Sequence, residues 1–427
     1  MLRERSVLLS AIIVITLVLM SIVAPTLVNP DDIYNWDNTL YWRLNPKNVP
    51  PEWFGRLTGL PKTEWLHGRA ENGSYVFPYN FHYDTAPQDI IVMTDSFETY
   101  RVSIVSPDGE EYVLWDSPIP NELNLGKSGA LIEIAHEKCS PDINAGDIIF
   151  KNALNAVFSK PKEDCITNPD TLKGTYAIVV TPKSGSSKMP KVYILGKSYG
   201  VMGTDNVGRD LWAGFLWGMR ETIVISVVGA FVAIGLALVF GTLSVISSKL
   251  GVLFDLVSQI ITVIPLLPAA IGLIIIASDI EDNTYAIFTD PLLLAIILGV
   301  LSVGEVSRNV RSMVEEELRK EYVESAKVVG GNALWILRKH ISKVLVPYSL
   351  YQLALAVPGI IALITLLGFF NVVPGFNWGT LMSQSIRENT AYRVSWWHIL
   401  PVGVALALLA IAFVSIARDI ERRFLER

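Results

Sequence analysis

The sequence is short of charge, short of cysteine and without any excess of basic residues. Charged residues fill 18% of its 427 positions. A soluble domain carries about 25%, so the chain cannot be soluble from end to end. Two cysteines, Cys139 and Cys165, are too few for a disulfide scaffold and lack the spacing of a zinc site. With 35 basic against 41 acidic residues and a net charge of −6, there is no basic stripe of the kind a nucleic-acid binder shows. Catalytic motifs are missing as well: there is no His-Glu-x-x-His and no Gly-x-Ser-x-Gly. Gly126-Lys127-Ser128 and Gly196-Lys197-Ser198 end like a P-loop, yet the glycine required five residues earlier is Asn121 or Lys191. His136-Glu137 beside Cys139 brings only two or three donors together and reads as a polar surface turn. No residues remain on which to build an enzyme or an ATP site.

What the chain has instead is apolar runs. Hydrophobic residues make up 51% of it and its mean hydropathy is +0.40, which excludes disorder. A bilayer core of about 30 Å needs roughly 20 apolar residues as helix. Six uncharged stretches qualify: Val7–Val28, Thr222–Ser248, Leu256–Ser278, a short one from Pro291 to Glu305, Val344–Phe370 and Trp396–Ala417. The fourth is extended on its outer side by Ala286–Thr289, and tilt or bilayer thinning absorbs the remaining deficit. The first follows Arg3 and Arg5 and has Ala24 near its end, as a signal peptide would. It exceeds the roughly 7–15 residues of a signal core, so it is read as an anchor. Between Thr222 and Phe240 there is no ionisable residue, and the third, fifth and sixth stretches are expected to be equally bare. Ion-driven carriers keep such groups at membrane depth.

Orientation follows from Lys and Arg in short loops. With the N-terminus inside, segments 1–6, 249–255, 305–343 and 418–427 are cytoplasmic. They hold Arg3, Arg5, Lys249, eight basic residues from Arg308 to Lys343, then Arg418, Arg422, Arg423 and Arg427. The short outer loops, 279–290 and 371–395, offer only Arg387 and Arg393. Six spans with both termini cytoplasmic result, and residues 29–221 lie outside. Residues 34–83 of that piece hold twelve aromatics among many Pro, Asn and Asp, more than a small β-sandwich core needs. They are expected to pack within the loop as an interfacial belt; the sharper alternative is that some of Trp36, Trp42, Trp53 and Trp65 anchor a partner. From residue 88 short alternating runs follow: 89–94, 99–106, 111–115, 130–135, 147–150, 175–181 and 191–195. Turns such as Pro107-Asp108-Gly109 and Ser184-Gly185-Ser186 separate them. That spacing predicts a β-sandwich. On an oxidising side Cys139 and Cys165 are expected to pair, closing a loop of about 26 residues; two buried free thiols are the alternative.

The largest cytoplasmic loop is the informative one. Leu318, Tyr322, Ser325 and Val329 follow helical spacing, Gly330 and Gly331 supply a left-handed stop, and Asn332 can cap a second short helix. In that helix Ala333, Ile336, Leu337 and His340 share a face rimmed by Arg338, Lys339 and Lys343. The segment reads as a helix, glycine turn and helix projecting as a knob, against the plainer possibility of a solvated loop.

Here the sequence resembles a known family. Glu324-Ser325-Ala326, three residues, then Gly330 resembles the Glu-Ala-Ala…Gly signature of ABC-importer permease subunits, and Ser307–Arg311 and Tyr322-Val323 match the pattern before it. Gly203-Thr204-Asp205-Asn206-Val207-Gly208-Arg209-Asp210, followed by Gly218-Met219-Arg220, resembles the stretch before the second span in C-type subunits of dipeptide/oligopeptide permeases, and Trp378-Gly379 fits the same group. Two departures stand out. Ile341 is followed by Ser342-Lys343 where the family has Leu-Pro, and the middle alanine is Ser325. The resemblance implies an α-helical polytopic membrane protein with the fold of a type I importer and an inserted exoplasmic β-rich domain. Its parts would be a first transmembrane helix (1–28), the exoplasmic domain (29–200) and a permease core (201–427) with a coupling loop at 305–343. It implies half of a translocation pathway for peptides or oligosaccharides in the cell membrane, and no enzyme activity in this chain. ATP and magnesium would sit on two cytoplasmic ATPases. The other implied partners are a second homologous permease subunit, an extracellular solute-binding protein and membrane lipid, with no nucleic acid. Tyr322, Glu324, Ser325, Ala326, Gly330, Gly331, Ile336 and Ile341 would carry the ATPase coupling. An ion-coupled carrier or channel and a membrane-anchored receptor are the rival classes.

Overall fold

The computed structural model describes residues 2–95, 97–183, 188–246, 251–277, 290–370, 372, 377–387 and 395–425. The turn at 184–186, Lys249, the ends of the second and third apolar stretches, the extension 286–289, Arg393, Arg427 and, in the loop 371–395, residues 371, 373–376 and 388–394 lie outside the described residues. The chain forms two compact units, one of residues 1–34 and 213–427 and the other Asn35–Trp212.

The chain begins with helix α1 (Leu2–Leu27) and the short α2 (Pro30–Tyr34). The second unit opens with the 3₁₀ turn Tyr41–Leu44 and α3 (Glu52–Leu57). Strands β1 (Glu64–Leu66), β2 (Arg69–Glu71), β3 (Ser74–Phe81), β4 (Asp89–Met93), β5 (Glu98–Val105), β6 (Glu111–Ile119) and β7 (Glu122–Asn124) follow. Then come α4 (Ala130–Lys138), α5 (Ala145–Lys151), α6 (Asn155–Phe158) and the returning strands β8 (Gly174–Pro182) and β9 (Lys191–Leu195). The strands make two sheets, a four-stranded one in the order β1-β9-β4-β7 and a five-stranded one in the order β2-β3-β8-β5-β6. Inward residues of both share one core.

Strand alternation explains the aromatics of β3. Along β3 the side chains of Phe77, Tyr79 and Phe81 are buried while Pro78 and Asn80 are exposed, the period of two that a half-buried strand requires. The Phe81 ring lies tilted against Phe158 at 4.8 Å, and Phe158 lies 4.6 Å from Tyr176. Of the twelve aromatics at 34–83, Phe77, Tyr79, Phe81 and Tyr83 join this core beside many Ile, Val and Leu. Trp36 and Trp42 are buried outside it and Tyr34, Tyr41, Trp53 and Trp65 stay exposed, so the rings do exceed what the core takes up. The expected strands at 130–135 and 147–150 are corrected, because both are helical. Leu131 and Ala135, four apart, face the core from α4. A disulfide joins Cys139, at the end of α4, to the buried Cys165, with Cα atoms 5.4 Å apart.

From residue 211 the chain is helical: α7 (Leu211–Ile246), α8 (Gly251–Val263), α9 (Leu266–Ala277), α10 (Pro291–Leu301), α11 (Val303–Leu318), α12 (Glu321–Val328), α13 (Ala333–Ile336), α14 (Ser342–Phe369), α15 (Trp378–Arg387) and α16 (Trp396–Leu425). Among the described residues four helices are long and apolar enough to cross a membrane: α1, α7, the run through α13 and α14, and α16. Two bent pairs raise the number to as many as six. The pair α8 and α9 bends by 101° and α10 and α11 by 48°. The first break falls at Ile264-Pro265, where proline removes a donor and clashes with the preceding turn, so the third apolar stretch is not one straight span. The fourth continues through its bend to Leu318 rather than ending at Glu305. The sixth stretch carries one titratable group the charge reading passed over, the buried His398. α16 packs on α1 and α14, and α8 packs on α11, where Ser258 and Ser307 share a hydroxyl hydrogen bond of 2.9 Å.

Candidate coupling site

The knob is built as its residues dictate. α12 ends in a Schellman turn: the Gly330 N–H donates to the Lys327 carbonyl at 3.0 Å and the Gly331 N–H to the Ala326 carbonyl at 2.9 Å. Gly330 has φ +95°, the conformation glycine adopts without strain. Gly331 does not have positive φ, contrary to the expectation for the pair. It is small for another reason, since a Cβ there would sit 2.8 Å from the Ala326 carbonyl and 3.1 Å from the Trp335 ring. The Asn332 side chain caps α13 by accepting from the Trp335 N–H at 2.8 Å. A π-helical turn, Leu337–Ile341, then leads into α14.

The knob has a core of its own. Val310 and Val314 of α11, Val323 of α12, Ile336, Ile341 and Leu345 and Tyr348 of α14 are buried together, with Leu238 and Val245 of α7 packed against them. Two of the expected coupling residues, Ile336 and Ile341, are thus core rather than contact surface. Tyr322, Glu324 and Ser325 are exposed and Ala326 is half-buried. The Ser325 hydroxyl donates back to the Glu321 carbonyl at 2.9 Å. Around the turn the structure exposes apolar side chains: Val328 (88%), Val329 (89%) and Leu334 (75%), with Trp335 half-exposed. Tyr322, Ala326, Gly331, Trp335, Lys339 and His340 line a cleft of about 570 Å³ beside them. The signal for these residues in the sequence was two apolar pairs bracketing a Gly-Gly turn inside an otherwise charged loop.

The second motif does different work. Asp205 Oδ1 accepts from the N–H groups of Val207, Gly208 and Arg209, each at 2.9 Å. Its Oδ2 meets Arg209 Nη1 at 3.2 Å. The Arg209 guanidinium lies over the Trp36 ring at 5.4 Å, donates through Nε to the Trp36 carbonyl at 2.9 Å and reaches Asp37 at 3.3 Å. Thr204 Oγ1 donates to the Pro46 carbonyl at 2.7 Å and accepts from the Val49 N–H. Gly203, at φ +78°, lets the Val49 carbonyl approach to where a Cβ would stand at 2.3 Å. The Asn45 amide donates to the Gly208 carbonyl at 3.0 Å. Asp210 caps α7 through the Trp212 N–H at 2.9 Å. Gly203, Thr204, Asp205, Gly208 and Arg209 therefore clasp residues 36–49, the entry of the β unit, to its exit. Trp36 and Trp42 are buried in this clasp, which removes them from any docking surface; Trp53 and Trp65 stay half-exposed. Arg220 belongs to the helical unit, exposed and 5.2 Å over Trp217. Trp378 is fully buried there: its ring stacks on Phe215 at 5.4 Å and its Nε1 donates to the Phe215 carbonyl.

Cofactor chemistry finds little here. Among the described residues no three His, Cys, Asp or Glu side chains gather as a metal would require. In the false P-loop at 196–198, the Lys197 N–H and the Ser198 hydroxyl both donate to Pro61, and burial holds the Lys197 ammonium below its ordinary pKa. His136 donates to the Ile143 carbonyl.

Residues 225–427 match the family described as binding-protein-dependent transport system inner membrane component. The chain is 26% identical over 221 residues to the oligopeptide transport system permease protein OppC of Haemophilus influenzae, covering 51% of this chain and 67% of that one. It is 25% identical over 229 residues to the dipeptide transport system permease protein DppC of the same organism, covering 52% and 73%. A solved structure of the inward-facing MetNI methionine ABC transporter aligns with a TM-score of 0.40 at 16% identity, over 49% of this chain and 97% of that one. Over residues 225–427, a little under half of its length, the chain is similar to the inner membrane components of binding-protein-dependent transport systems, and its several apolar helices are those of a multi-pass membrane protein.

Proposed function

We propose that this chain forms half of the translocation pathway of an ABC importer for peptides. It pairs with a second, homologous permease subunit and docks on two cytoplasmic ATPases through Tyr322–Ile341. ATP and magnesium bind on those ATPases and not here. A solute-binding protein delivers substrate on the opposite side, where the β unit lies. The distribution of Lys and Arg supports placing both termini and the knob in the cytoplasm. The names of the relatives support peptides over oligosaccharides as cargo.

The observation that carries the reading is the knob itself. Exposed Val328, Val329 and Leu334 surround a stiff glycine turn whose base is fixed by a core drawn from α7, α11 and α14. An apolar tip calls for a covering partner, and such a base makes the knob move with three helices as one body. Co-expression with the candidate ATPases and detergent purification tests it. The ATPases are expected to co-purify with the wild-type chain and to be lost with Val328→Asp/Leu334→Asp. Retention by that variant would overturn the docking surface. Competition of labelled hexapeptide uptake by unlabelled peptides, and not by oligosaccharides, tests the cargo.

A further inference from the structure

One buried charge has no part in the docking surface. Glu317, in the last turn of α11, is 3% exposed although its segment is among the most charged in the chain. Its Oε2 accepts from Lys320 Nζ at 2.7 Å, and its Oε1 accepts from the Tyr322 hydroxyl. The backbone between those partners is unusual. α11 and α12 are joined by Arg319 and Lys320 alone; Arg319 stays helical, and Lys320 is the one extended residue, with φ −74° and ψ +140°. All of the turn between the two helices is therefore concentrated at residue 320. Rotation about that residue would swing α12 without disturbing any hydrogen bond inside either helix. Glu317 grips both sides of it, holding the hinge residue through one oxygen and the next helix through the other. The ring of Tyr322 lies tilted against His340 of the returning π turn, with centroids 5.3 Å apart, so the same side chain also touches the second arm of the knob.

A buried carboxylate is costly unless paired, and an apolar side chain would fill the site without that cost. Two directional bonds across a one-residue hinge do what apolar packing cannot, which is to select a single hinge angle. We propose that Glu317, with Lys320 and Tyr322, is the strut that locks the angle between α12 and α11, so that a displacement of the docked knob is passed to α11 rather than absorbed at residue 320. This rests on the ATPase-docking reading and assigns Glu317 and Tyr322 as positioning residues in energy coupling.

The test uses the purified importer complex with spin labels at Arg308→Cys on α11 and Lys327→Cys on α12, both exposed. Pulsed electron resonance reads the distance distribution between them, nucleotide-free and trapped with ATP and vanadate. In the labelled parent one narrow distribution is expected, unchanged by trapping. Tyr322→Phe keeps the ring on His340 and removes only the hydroxyl; it is expected to broaden the distribution about twofold, as a hinge released between packed elements should. Glu317→Ala is expected to broaden it further, while Glu317→Gln, which still accepts from Tyr322, restores most of the narrow width. Failure of the unlabelled wild-type chain to co-purify with the ATPases would overturn the docking reading. A parent that co-purifies, with equal widths in Tyr322→Phe and Glu317→Ala, would overturn the strut. Should Glu317→Ala fail to assemble, Tyr322→Phe alone decides it.

Discussion

The two units of this chain use the same apolar residues in opposite ways. In Asn35–Trp212 the large side chains of Phe77, Tyr79, Tyr100, Phe158 and Tyr176 are fully buried in the core shared by the two sheets. In the helical unit Leu8, Ile22, Phe231, Ile276 and Ile411 are exposed, and the small residues Ser258, Ser307 and Gly304 are buried between helices. Water drives the first arrangement through apolar burial. Lipid removes that drive, leaving close approach of backbones and interhelical hydrogen bonds to hold helices together. What fixes position therefore differs. The β unit is held by its core and its Asp205–Arg209 clasp, whereas in the helical unit the knob is held by a small core of its own.

The largest effect expected from breaking that contrast lies in the knob. Gly330→Pro cannot adopt φ +95°, and Ala326→Asp places a charge in the cleft beside Trp335. Either is expected to abolish uptake by reconstituted complexes while membrane insertion stays normal, because the apolar stretches are untouched. Transport that survives both would remove the knob from coupling. The clasp should respond in the reverse sense. Asp205→Ala takes the buried one of two carboxylates from the Arg209 guanidinium and leaves three N–H groups without their acceptor. Losing one partner of a buried pair costs about 3–5 kcal/mol. The expected result is earlier thermal unfolding of the β unit and proteolytic cutting between residues 36 and 49, with no change in unfolding of the helical unit. Equal melting of variant and parent would show that the motif serves something other than closure.

Which features could be read beforehand follows from the same contrast. A helix in lipid announces itself by composition alone, so α1, α7, α14 and α16 were legible as uncharged runs. The bends were not. Pro265 breaks a helix, whereas Pro347 and Pro358 sit inside α14 without ending it, and what decides is whether neighbouring helices satisfy the freed carbonyls. In the β unit, long alternating runs such as 99–106 and 175–181 were clear, but six residues such as 130–135 fit a short strand or a helix turn equally well. The Gly330 stop and the Asn332 cap were readable because each is a local rule. The hinge at Lys320 was not, since nothing local distinguishes an extended lysine from a helical one. The clasp was visible as a motif yet not as a structure, because its partners, Trp36 and Pro46, lie more than 150 residues away in sequence.

A smaller effect is expected at the disulfide. Cys139 and Cys165 close a loop of 26 residues, which contributes about 3 kcal/mol in the chain-entropy account. Replacing both by serine should lower the melting temperature of the β unit by several degrees and leave transport at low temperature intact. Alkylation of native protein without reductant should label neither thiol, and labelling of both would show that the pair is reduced.

The smallest expected effect separates charge from hydrogen bonding inside the β unit. Asp89, at the start of β4, accepts through Oδ1 from the N–H groups of Ile90 and Gly126, both at 2.7 Å. Burial raises its pKa above the ordinary carboxylate value, although the two N–H donors and Lys127 pull the other way. The native state therefore holds this proton more tightly than the unfolded chain does. Stability falls as pH rises from the unfolded value through the raised native one, and at neutral pH the full cost of a buried carboxylate is present. Asp89→Asn keeps an acceptor at the same place without charge. Its β unit should melt at or above the parent temperature at pH 7 and should lose the parent's decline across the acid window. Asp89→Ala leaves the Gly126 N–H without its acceptor and should cost about 1–3 kcal/mol at every pH. A melting temperature for Asp89→Asn that falls as far as that of Asp89→Ala would mean that the charge itself, through Lys127, holds the strand in place.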